Sequence, residues 1–205
     1  MIETVEKRAF VFVDGQNLFR SAKEAFGYTY PNYDVKLLAE KICLNQGWSL
    51  DKVNFYTGVP DLQDNSFWHN FWVNKLIGMQ HKGIAVFKRS LRYHNETIKL
   101  PDGKIFTKLV GHEKGIDVRI ALDVVRFALR KVYDIAIIIS QDQDLSEVAD
   151  EIREIAQEQK RWIKIASAFL VSPTFKNKRG INKTDWLKID KKTYDFCLDP
   201  HDYRI

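Results

Sequence analysis

The chain has 205 residues, of which 45% are hydrophobic and 29% charged, so it holds enough apolar surface for one domain with a sizeable core, and general disorder is excluded. Its formal net charge is +5, and residues 176–192 carry seven basic side chains against two acidic ones, which confines the positive excess to this C-terminal segment. Two cysteines, Cys43 and Cys197, exclude a disulfide scaffold and a multi-cysteine zinc site.

Short apolar runs alternate with amphipathic stretches in the first half of the chain. The apolar run at 10–13 predicts a strand that ends at Asp14, and further strands are predicted at 53–56 and 84–87. Helices are predicted between these strands, and a glycine closes each of the first two. The predicted helices cover residues 17–26, 35–45 and 64–80.

An insertion interrupts this alternation. Two β-favouring runs flank Pro101, Asp102 and Gly103, a turn sequence of the type that joins the strands of a hairpin. We therefore expect an inserted β-hairpin near residues 97–110.

The alternation resumes in the second half of the chain. Apolar residues recur at helical spacing from Ile116 to Val132 and again from Leu145 to Ala156. Between them, Ile135–Ile139 is the most hydrophobic run, so we expect it in the middle of a sheet. Residues 162–170 are predicted as the last strand. Residues 1–170 then form the predicted domain, and residues 171–205 a basic C-terminal extension packed on it or flanking it.

The order of elements predicts the class of fold and the environment of the protein. Strands that alternate with helices predict an α/β fold with a doubly wound, mostly parallel sheet. The N-terminus has acids where a signal peptide has basic residues, and the longest aliphatic run is too short to cross a bilayer. We expect a reduced, cytoplasmic protein without membrane contact.

Acidic side chains lie where such a sheet places functional groups, beyond the carboxyl ends of its strands. Asp14 follows the first strand directly, and Asp142 and Asp144 follow the strand Ile135–Ile139 after a short turn. Asp117 lies at the start of the next predicted helix. We expect these four carboxylates, from three separate segments, to meet at one edge of the sheet.

A cluster of like charges is tolerated when a cation compensates it. Hard oxygen ligands suit Mg²⁺ or Mn²⁺, which activate bound water and stabilise charge on a phosphate. The pattern therefore favours metal-assisted phosphodiester hydrolysis. The predicted metal ligands are Asp14, Asp117, Asp142 and Asp144.

Each acid also has an ordinary structural interpretation. Asp14 can cap the helix that follows it, and Asp144 with Glu147 matches a capping box. Asp117 suits the first turn of a helix. A surface ion pair with the neighbouring arginines explains Asp123, which is a secondary candidate.

Several motifs together carry a family resemblance. FVDGQNLF at 12–19, EKGIDVRIALDVV at 113–125 and YDIAIIISQDQDL at 133–145 are followed by an amphipathic helix and a strand. In this order they make residues 8–170 resemble a NYN domain of the LabA-like type, within the PIN-like nuclease superfamily. The resemblance implies a metal-dependent ribonuclease and assigns its metal-site acids to Asp14, Asp117, Asp142 and Asp144. It makes Asn17 the accompanying polar residue and matches Asp123 to the family's second helix acid.

Two hypotheses follow for the function. In the first, the acids hold one or two Mg²⁺ or Mn²⁺ ions for RNA hydrolysis, while Asn17 and Ser140 orient the carboxylates. Gln141 stands where the family has glycine, and Leu145 where it has phenylalanine. Gln141 favours the alternative hypothesis, a catalytically silent RNA-binding or adaptor module on the same fold.

RNA in single-stranded form is the expected partner. Basic residues beside an aromatic side chain suit a single strand, because phosphates are neutralised and bases stack. The densest basic group lies near Trp186. Each also has an ordinary structural interpretation, a solvated tail for the basic group and a packing anchor for the tryptophan. The candidate RNA-binding residues are Lys88, Arg89, Arg92, Lys176, Lys178, Arg179 and Lys183.

Other features of the sequence indicate less. The aromatic-rich helix at 64–80 favours core packing or a homodimer surface. The chain has no glycine-rich phosphate loop of the P-loop or dinucleotide type. Its five histidines show neither H-x-x-H spacing nor a cysteine partner, so the sequence does not support a zinc site, and His112 is interpreted as a surface histidine.

Overall fold

The structure, a computed structural model, describes residues 6–99 and 105–204. The turn predicted at Pro101, Asp102 and Gly103 therefore lies outside the described residues. The strands are β1 (Arg8–Asp14), β2 (Ser49–Val59), β3 (Ala85–Ser90), β4 (Arg92–Lys99), β5 (Ile105–His112), β6 (Ile135–Ile139), β7 (Lys164–Leu170) and β8 (Asp185–Ile189). The α-helices are α1 (Gly15–Phe26), α2 (Val35–Gln46), α3 (Ser66–His81), α4 (Ile116–Leu129), α5 (Ser146–Glu158) and α6 (Lys191–Phe196).

Six strands form one parallel sheet in the order β3-β2-β1-β6-β7-β8. Val11 of β1 lies opposite Val53 on one side and Ile137 on the other. The chain winds outward from β1 to β3, then returns to the other side of β1 and winds outward again. The direction of winding therefore changes between β1 and β6, and in sheets of this type a crevice opens at that point.

Helices cover both faces of the sheet, which confirms the predicted doubly wound α/β fold. Successive residues of a strand point to opposite faces, so Val11 and Ile137 belong to one core while Phe12 and Ile138 belong to the other. Helices α1, α2 and α3 pack on the first face, and α4 and α5 on the second. All five residues of β6 are buried, as expected for a central strand.

The aromatic helix α3 serves the first core in part. Phe71, Trp72 and Met79 are buried, whereas Phe67 and Ile77 remain exposed. The homodimer surface therefore stays a prediction. Across the described residues, no helix combines the length and the apolar character needed to cross a membrane.

The inserted hairpin is confirmed. Strands β4 and β5 pair antiparallel and form a sheet of their own between β3 and α4. Both strands extend beyond the predicted 97–110, because the pairing continues to Arg92 opposite His112. The backbone N–H of Leu91 donates to the carbonyl of Val59 at 3.1 Å, which ties the start of the hairpin to the end of β2.

The C-terminal residues correct one prediction, because residues 162–170 do not hold the last strand. β8 pairs in parallel with β7, with Trp186 opposite Ser167, and α6 follows it. Four of the five residues of β8 are at least partly exposed, so this edge strand lacks the apolar alternation that reveals a strand. Lys75, fully buried in α3, donates to the carbonyl of Tyr33 at 3.0 Å and to Asp199 Oδ2 at 3.3 Å, which holds the end of the chain to the first core.

Candidate functional site

Asp14 is both the cap of α1 and an acid of the switch-point crevice. Its Oδ1 accepts from the backbone N–H of Asn17 at 3.0 Å, and Ser140 Oγ donates to its Oδ2 at 3.4 Å. The residue is only 7% exposed. Burial, together with the charge of Asp142, raises the pKa of the Asp14 carboxyl to about 6. The capping and the acidic-site interpretations are therefore both satisfied by one side chain.

The turn after β6 brings the second acid to Asp14. Ser140 Oγ accepts from the backbone N–H of Asp142 at 3.1 Å, and Asn17 Oδ1 accepts from the backbone N–H of Gln141 at 3.1 Å. Ser140 and Asn17 thus join the ends of β1 and β6. Asp142 lines the pocket described below, whereas Asp144 is exposed and does not line it.

Glu113 is an acid of this site that the sequence does not single out. It lies between β5 and α4, and the backbone N–H of Gly58 donates to its Oε2. Burial and the charges of Asp14 and Asp117 raise the pKa of the Glu113 carboxyl to about 7. Glu113 reaches this position because the hairpin returns to the end of β2. This contact joins residues that are distant in sequence, so no local pattern reveals it.

Four acids line one pocket of about 450 Å³ at the switch point. Arg20 and Lys114 are the basic side chains in its lining. Arg20 lowers the pKa of both Asp14 and Glu113, but burial outweighs this effect and both pKa values remain raised. The pocket acids are Asp14, Glu113, Asp117 and Asp142.

The donor set of this acidic pocket fits a hydrated Mg²⁺ or Mn²⁺ ion. All four acids offer carboxylate oxygens, the ligands that these ions prefer. Among the residues that the structure describes, no three of these acids bring their oxygens within 4.8 Å of one another. Mg²⁺ keeps several of its waters in protein sites, so the spacing suits an ion held partly through water.

Asp123 lies outside the acidic pocket, in a buried network of its own. Tyr56 Oη donates to its Oδ2 at 3.0 Å and Arg119 Nε at 2.9 Å, while Arg126 lies 2.8 Å from its Oδ1. The predicted ion pairs with the arginines are present, and both arginines are partly exposed. Only the expected surface position of Asp123 is wrong, because the residue is 5% exposed.

Gln141, which stands where the family has glycine, points its side chain away from the acidic pocket. Its Nε2 donates to the carbonyls of Arg179 at 2.8 Å and Asn177 at 3.3 Å, and its Oε1 accepts from Ser21 Oγ at 3.3 Å. Its side chain does not line the pocket. Gln141 has no positive φ, so its backbone does not require glycine; the described non-glycine residues with positive φ are Lys131, Lys160 and Lys183.

Gln143, two residues after Gln141, also hydrogen-bonds backbone groups of the C-terminal loop. Its Nε2 donates to the carbonyl of Gly180 at 3.0 Å, and its Oε1 accepts from the backbone N–H of Asn182 at 3.1 Å. The two glutamines therefore fasten the loop at 177–182 to the turn that carries Asp142.

The predicted RNA-binding residues fall into three groups. Lys176, Lys178 and Arg179 are exposed on or beside the fastened loop. Lys183 forms ion pairs with Asp150 and Glu147, so part of its charge is already used. The remaining three, Lys88, Arg89 and Arg92, are exposed at the end of β3 and the start of the hairpin.

Trp186 is a packing anchor and also has a ring that is partly open to solvent. It is 42% exposed, its Nε1 donates to the carbonyl of Ile181 at 2.9 Å, and its ring packs edge-on against Phe169. The ring is therefore held in place while part of it faces solvent.

An aromatic groove adjoins the acidic pocket. It encloses about 370 Å³, and Gln16 and Arg20 belong to the lining of both. Its other walls include Phe19, Trp68 and Trp72, with Lys23 at the rim. The groove therefore offers apolar faces and positive charge directly beside the acids.

The family model of the NYN domain matches residues 8–178. The chain belongs to the NYN domain family. The match confirms the resemblance found in the sequence, and NYN domains are a PIN-like nuclease family. It also extends past residue 170 into the loop that Gln141 fastens. No curated protein matches the chain.

Solved structures resemble the chain in fold. A protein of unknown function from Vibrio parahaemolyticus is 17% identical, with a TM-score of 0.50 over 93% of this chain and 98% of that one. Ribokinase from Giardia lamblia is 9% identical, with a TM-score of 0.39 over 86% of this chain and 54% of that one. At such low identity the first likeness shows the fold alone, and the second carries no argument about activity.

Proposed function

We propose that this NYN domain protein is a ribonuclease that hydrolyses phosphodiester bonds in single-stranded RNA with the help of Mg²⁺ or Mn²⁺. The acidic pocket at the switch point carries this proposal. Its lining holds four acids against two basic side chains, Arg20 and Lys114, so the pocket carries excess negative charge when its acids are ionised. A phosphate enters such a pocket only together with cations.

Three of the pocket acids suit the role of holding the ion, directly or through water. Asp14, Asp117 and Asp142 come from β1, α4 and the turn after β6, so they surround the pocket from different elements. Asn17 and Ser140 fix the relative positions of Asp14 and Asp142 through the contacts described above. The bound ion supplies a water of lowered pKa and stabilises negative charge on the phosphate.

Glu113 suits proton exchange in this pocket. Its pKa of about 7 lies in the working range of a general base or acid. Burial is the largest cause of the shift, so part of it persists when a cation neutralises Asp14 and Asp117. The N–H of Gly58 holds Oε2, which fixes the carboxyl where it can take a proton from water and return it to the leaving oxygen.

The surroundings of the acidic pocket suit a flexible strand of RNA. Arg20 borders both the pocket and the aromatic groove, so it can contact a phosphate between the scissile bond and the next base. Phe19 and Trp68 offer partly exposed rings for base stacking. On the other side, the basic side chains at 176–179 neutralise phosphates beside the turn of Asp142.

Cleavage of end-labelled single-stranded RNA in Mn²⁺ tests the proposal. We expect Asp14→Asn and Asp142→Asn to lower the cleavage rate by roughly 100-fold or more, because each removes a charged group from the ion-binding set. Asp51→Asn is the matched control, since Asp51 is an exposed acid of β2 that does not line the pocket. Cleavage by both pocket variants at the rate of the unchanged protein would contradict the proposal.

A second candidate function, the silent RNA-binding module, is favoured by one observation: the pocket acids do not converge on a single point among the described residues. The same preparation distinguishes the two functions. RNA binding that weakens with salt, without cleavage in Mg²⁺ or in Mn²⁺, would identify the silent module.

A further inference from the structure

The hairpin brings two histidines and a glutamate together at its base. His94 and Glu96 belong to β4, and His112 ends β5. Arg92 pairs with His112, and alternate residues of a strand share a face, so all three side chains lie on the same face of the hairpin. Sequence spacing does not reveal this cluster, because antiparallel pairing joins residues that lie far apart in sequence.

The ligand atoms of these three residues already have the spacing of a metal coordination sphere. His112 Nε2 lies 2.8 Å and His94 Nε2 lies 3.5 Å from the same oxygen, Glu96 Oε1. All three ligand atoms lie within 4.8 Å of one another. A tetrahedral ion with ligands at about 2.0–2.1 Å separates them by about 3.3 Å.

Hydrogen bonding explains only part of this arrangement. The His112–Glu96 contact is a hydrogen bond at 2.8 Å, but His94 makes none to that carboxylate and is instead stacked on His112. The two ring centroids are 4.2 Å apart and the rings are inclined by 27°, and both Nε2 atoms lie within 3.5 Å of one carboxylate oxygen. A cation uses all three groups at once, because it accepts both nitrogen lone pairs and the carboxylate charge.

The chemistry and exposure of the cluster select the ion. Imidazole nitrogens suit transition metals, whereas Mg²⁺ prefers oxygen ligands. The side chains of His94, Glu96 and His112 are 52%, 43% and 40% exposed, so an ion can enter and keep water in its fourth position. We propose that His94, Glu96 and His112 form a Zn²⁺ site on the hairpin, at the edge of the acidic pocket but without the pocket acids as ligands.

An ion in the hairpin site would also affect the acidic pocket, because the two share His112. His112 is part of the pocket lining, and the next residue is Glu113. An ion that fixes the His112 ring to β4 also fixes the end of β5, from which Glu113 reaches Gly58. Zn²⁺ bound there would therefore also hold one wall of the pocket in place.

Zinc titration of the tag-free full chain, in competition with a chromogenic chelator, tests the hairpin site. Excess Mg²⁺ is present throughout to occupy the acidic pocket. We expect one Zn²⁺ per chain, and a loss of affinity of at least about tenfold in His94→Ala and in Glu96→Gln. His81→Ala is the matched control, because His81 is an exposed histidine at the end of α3 outside the cluster. Absence of zinc binding, or equal affinity in the cluster variants and the unchanged chain, would overturn the proposal.

The Asp14→Asn variant separates this site from the acidic pocket. We expect it to bind Zn²⁺ with unchanged affinity, whatever its effect on RNA cleavage. A loss equal to that in His94→Ala would show that zinc enters the acidic pocket, and the hairpin site would be rejected. Glu96→Gln keeps the size of the side chain, and circular dichroism checks that the variants remain folded. Zinc binding is measured without RNA, so a failure of the hairpin site and a failure of RNA cleavage are observed separately.

Discussion

Asp14 and Asp123 are buried to the same degree but have opposite electrostatic surroundings. Asp123, 5% exposed, contacts two guanidinium groups and a tyrosine hydroxyl. Asp14, 7% exposed, receives only a backbone N–H and a serine hydroxyl, and it faces Asp142. The protein pairs Asp123 with two arginines, whereas Asp14 makes no ion pair within the described residues and has only the more distant charge of Arg20. Burial alone therefore does not distinguish the two acids; the cations around them do.

The largest expected effect on stability comes from removing the uncompensated charge. A carboxyl with a pKa raised from 3.8 to about 6 binds more protons in the folded state, so the free energy of unfolding falls as pH rises from about 4 to about 6 and stays low above it. Asp14→Asn keeps a capping side chain without the charge. We expect this variant, free of metal at pH 8, to be about 2 kcal/mol more stable in urea unfolding.

Two controls sharpen this expectation. Near pH 4 most of the difference between the variant and the unchanged chain should disappear, since Asp14 is then protonated in the folded state and partly protonated in the unfolded state. Mn²⁺ should raise the stability of the unchanged chain at pH 8 and have a smaller effect on the variant. A variant that is less stable at pH 8 would show that Asp14 is compensated after all.

At Asp123 we expect a substitution to lower the free energy of unfolding, opposite to the gain expected at Asp14. Asp123→Asn removes the charge that Arg119 and Arg126 pair with, but both arginines are partly exposed and recover some hydration. We therefore expect a loss of about 1–2 kcal/mol in the free energy of unfolding, below the range for fully buried pairs. Urea unfolding measures it, with the exposed Asp51→Asn as control. A gain in stability would remove the contrast between the two acids.

The smallest effect concerns the basic residues beside the pocket. Replacing Lys176, Lys178 and Arg179 with glutamine should weaken binding of single-stranded RNA by roughly tenfold and lower its salt dependence by up to about 2 in the slope of log K against log salt. Lys183→Gln should change less, since Lys183 is already paired with Asp150 and Glu147. Fluorescence anisotropy with labelled RNA measures both. Equal affinity in the triple variant would exclude this loop from the RNA-binding surface.

Sequence reasoning predicted the parts of the site that follow from strand order. Asp14 and Asp142 end neighbouring parallel strands, so the topology alone places them together, and Asp117 begins the helix that covers them. Glu113 could not be predicted in the same way, because its position depends on contact with Gly58 across the returning hairpin.

The parts of the fold that sequence reasoning missed have long-range causes as well. β8 is an edge strand with mostly exposed residues, so no apolar period indicates it. Gln141 in place of glycine suggests that a side chain fills part of the acidic pocket. In the structure, that side chain instead hydrogen-bonds the carbonyls of Asn177 and Arg179. His94 and His112 meet only through strand pairing. In each case the observed structure depends on a contact with a residue that is distant along the chain.

The two glutamine contacts make the C-terminal loop a mechanical part of the acidic turn. Gln141 and Gln143 hydrogen-bond four backbone groups of the chain between Asn177 and Asn182, and Asp142 lies between the two glutamines. A ligand that displaces this loop would therefore also displace that aspartate, because the amide side chains of the two glutamines connect loop and turn directly.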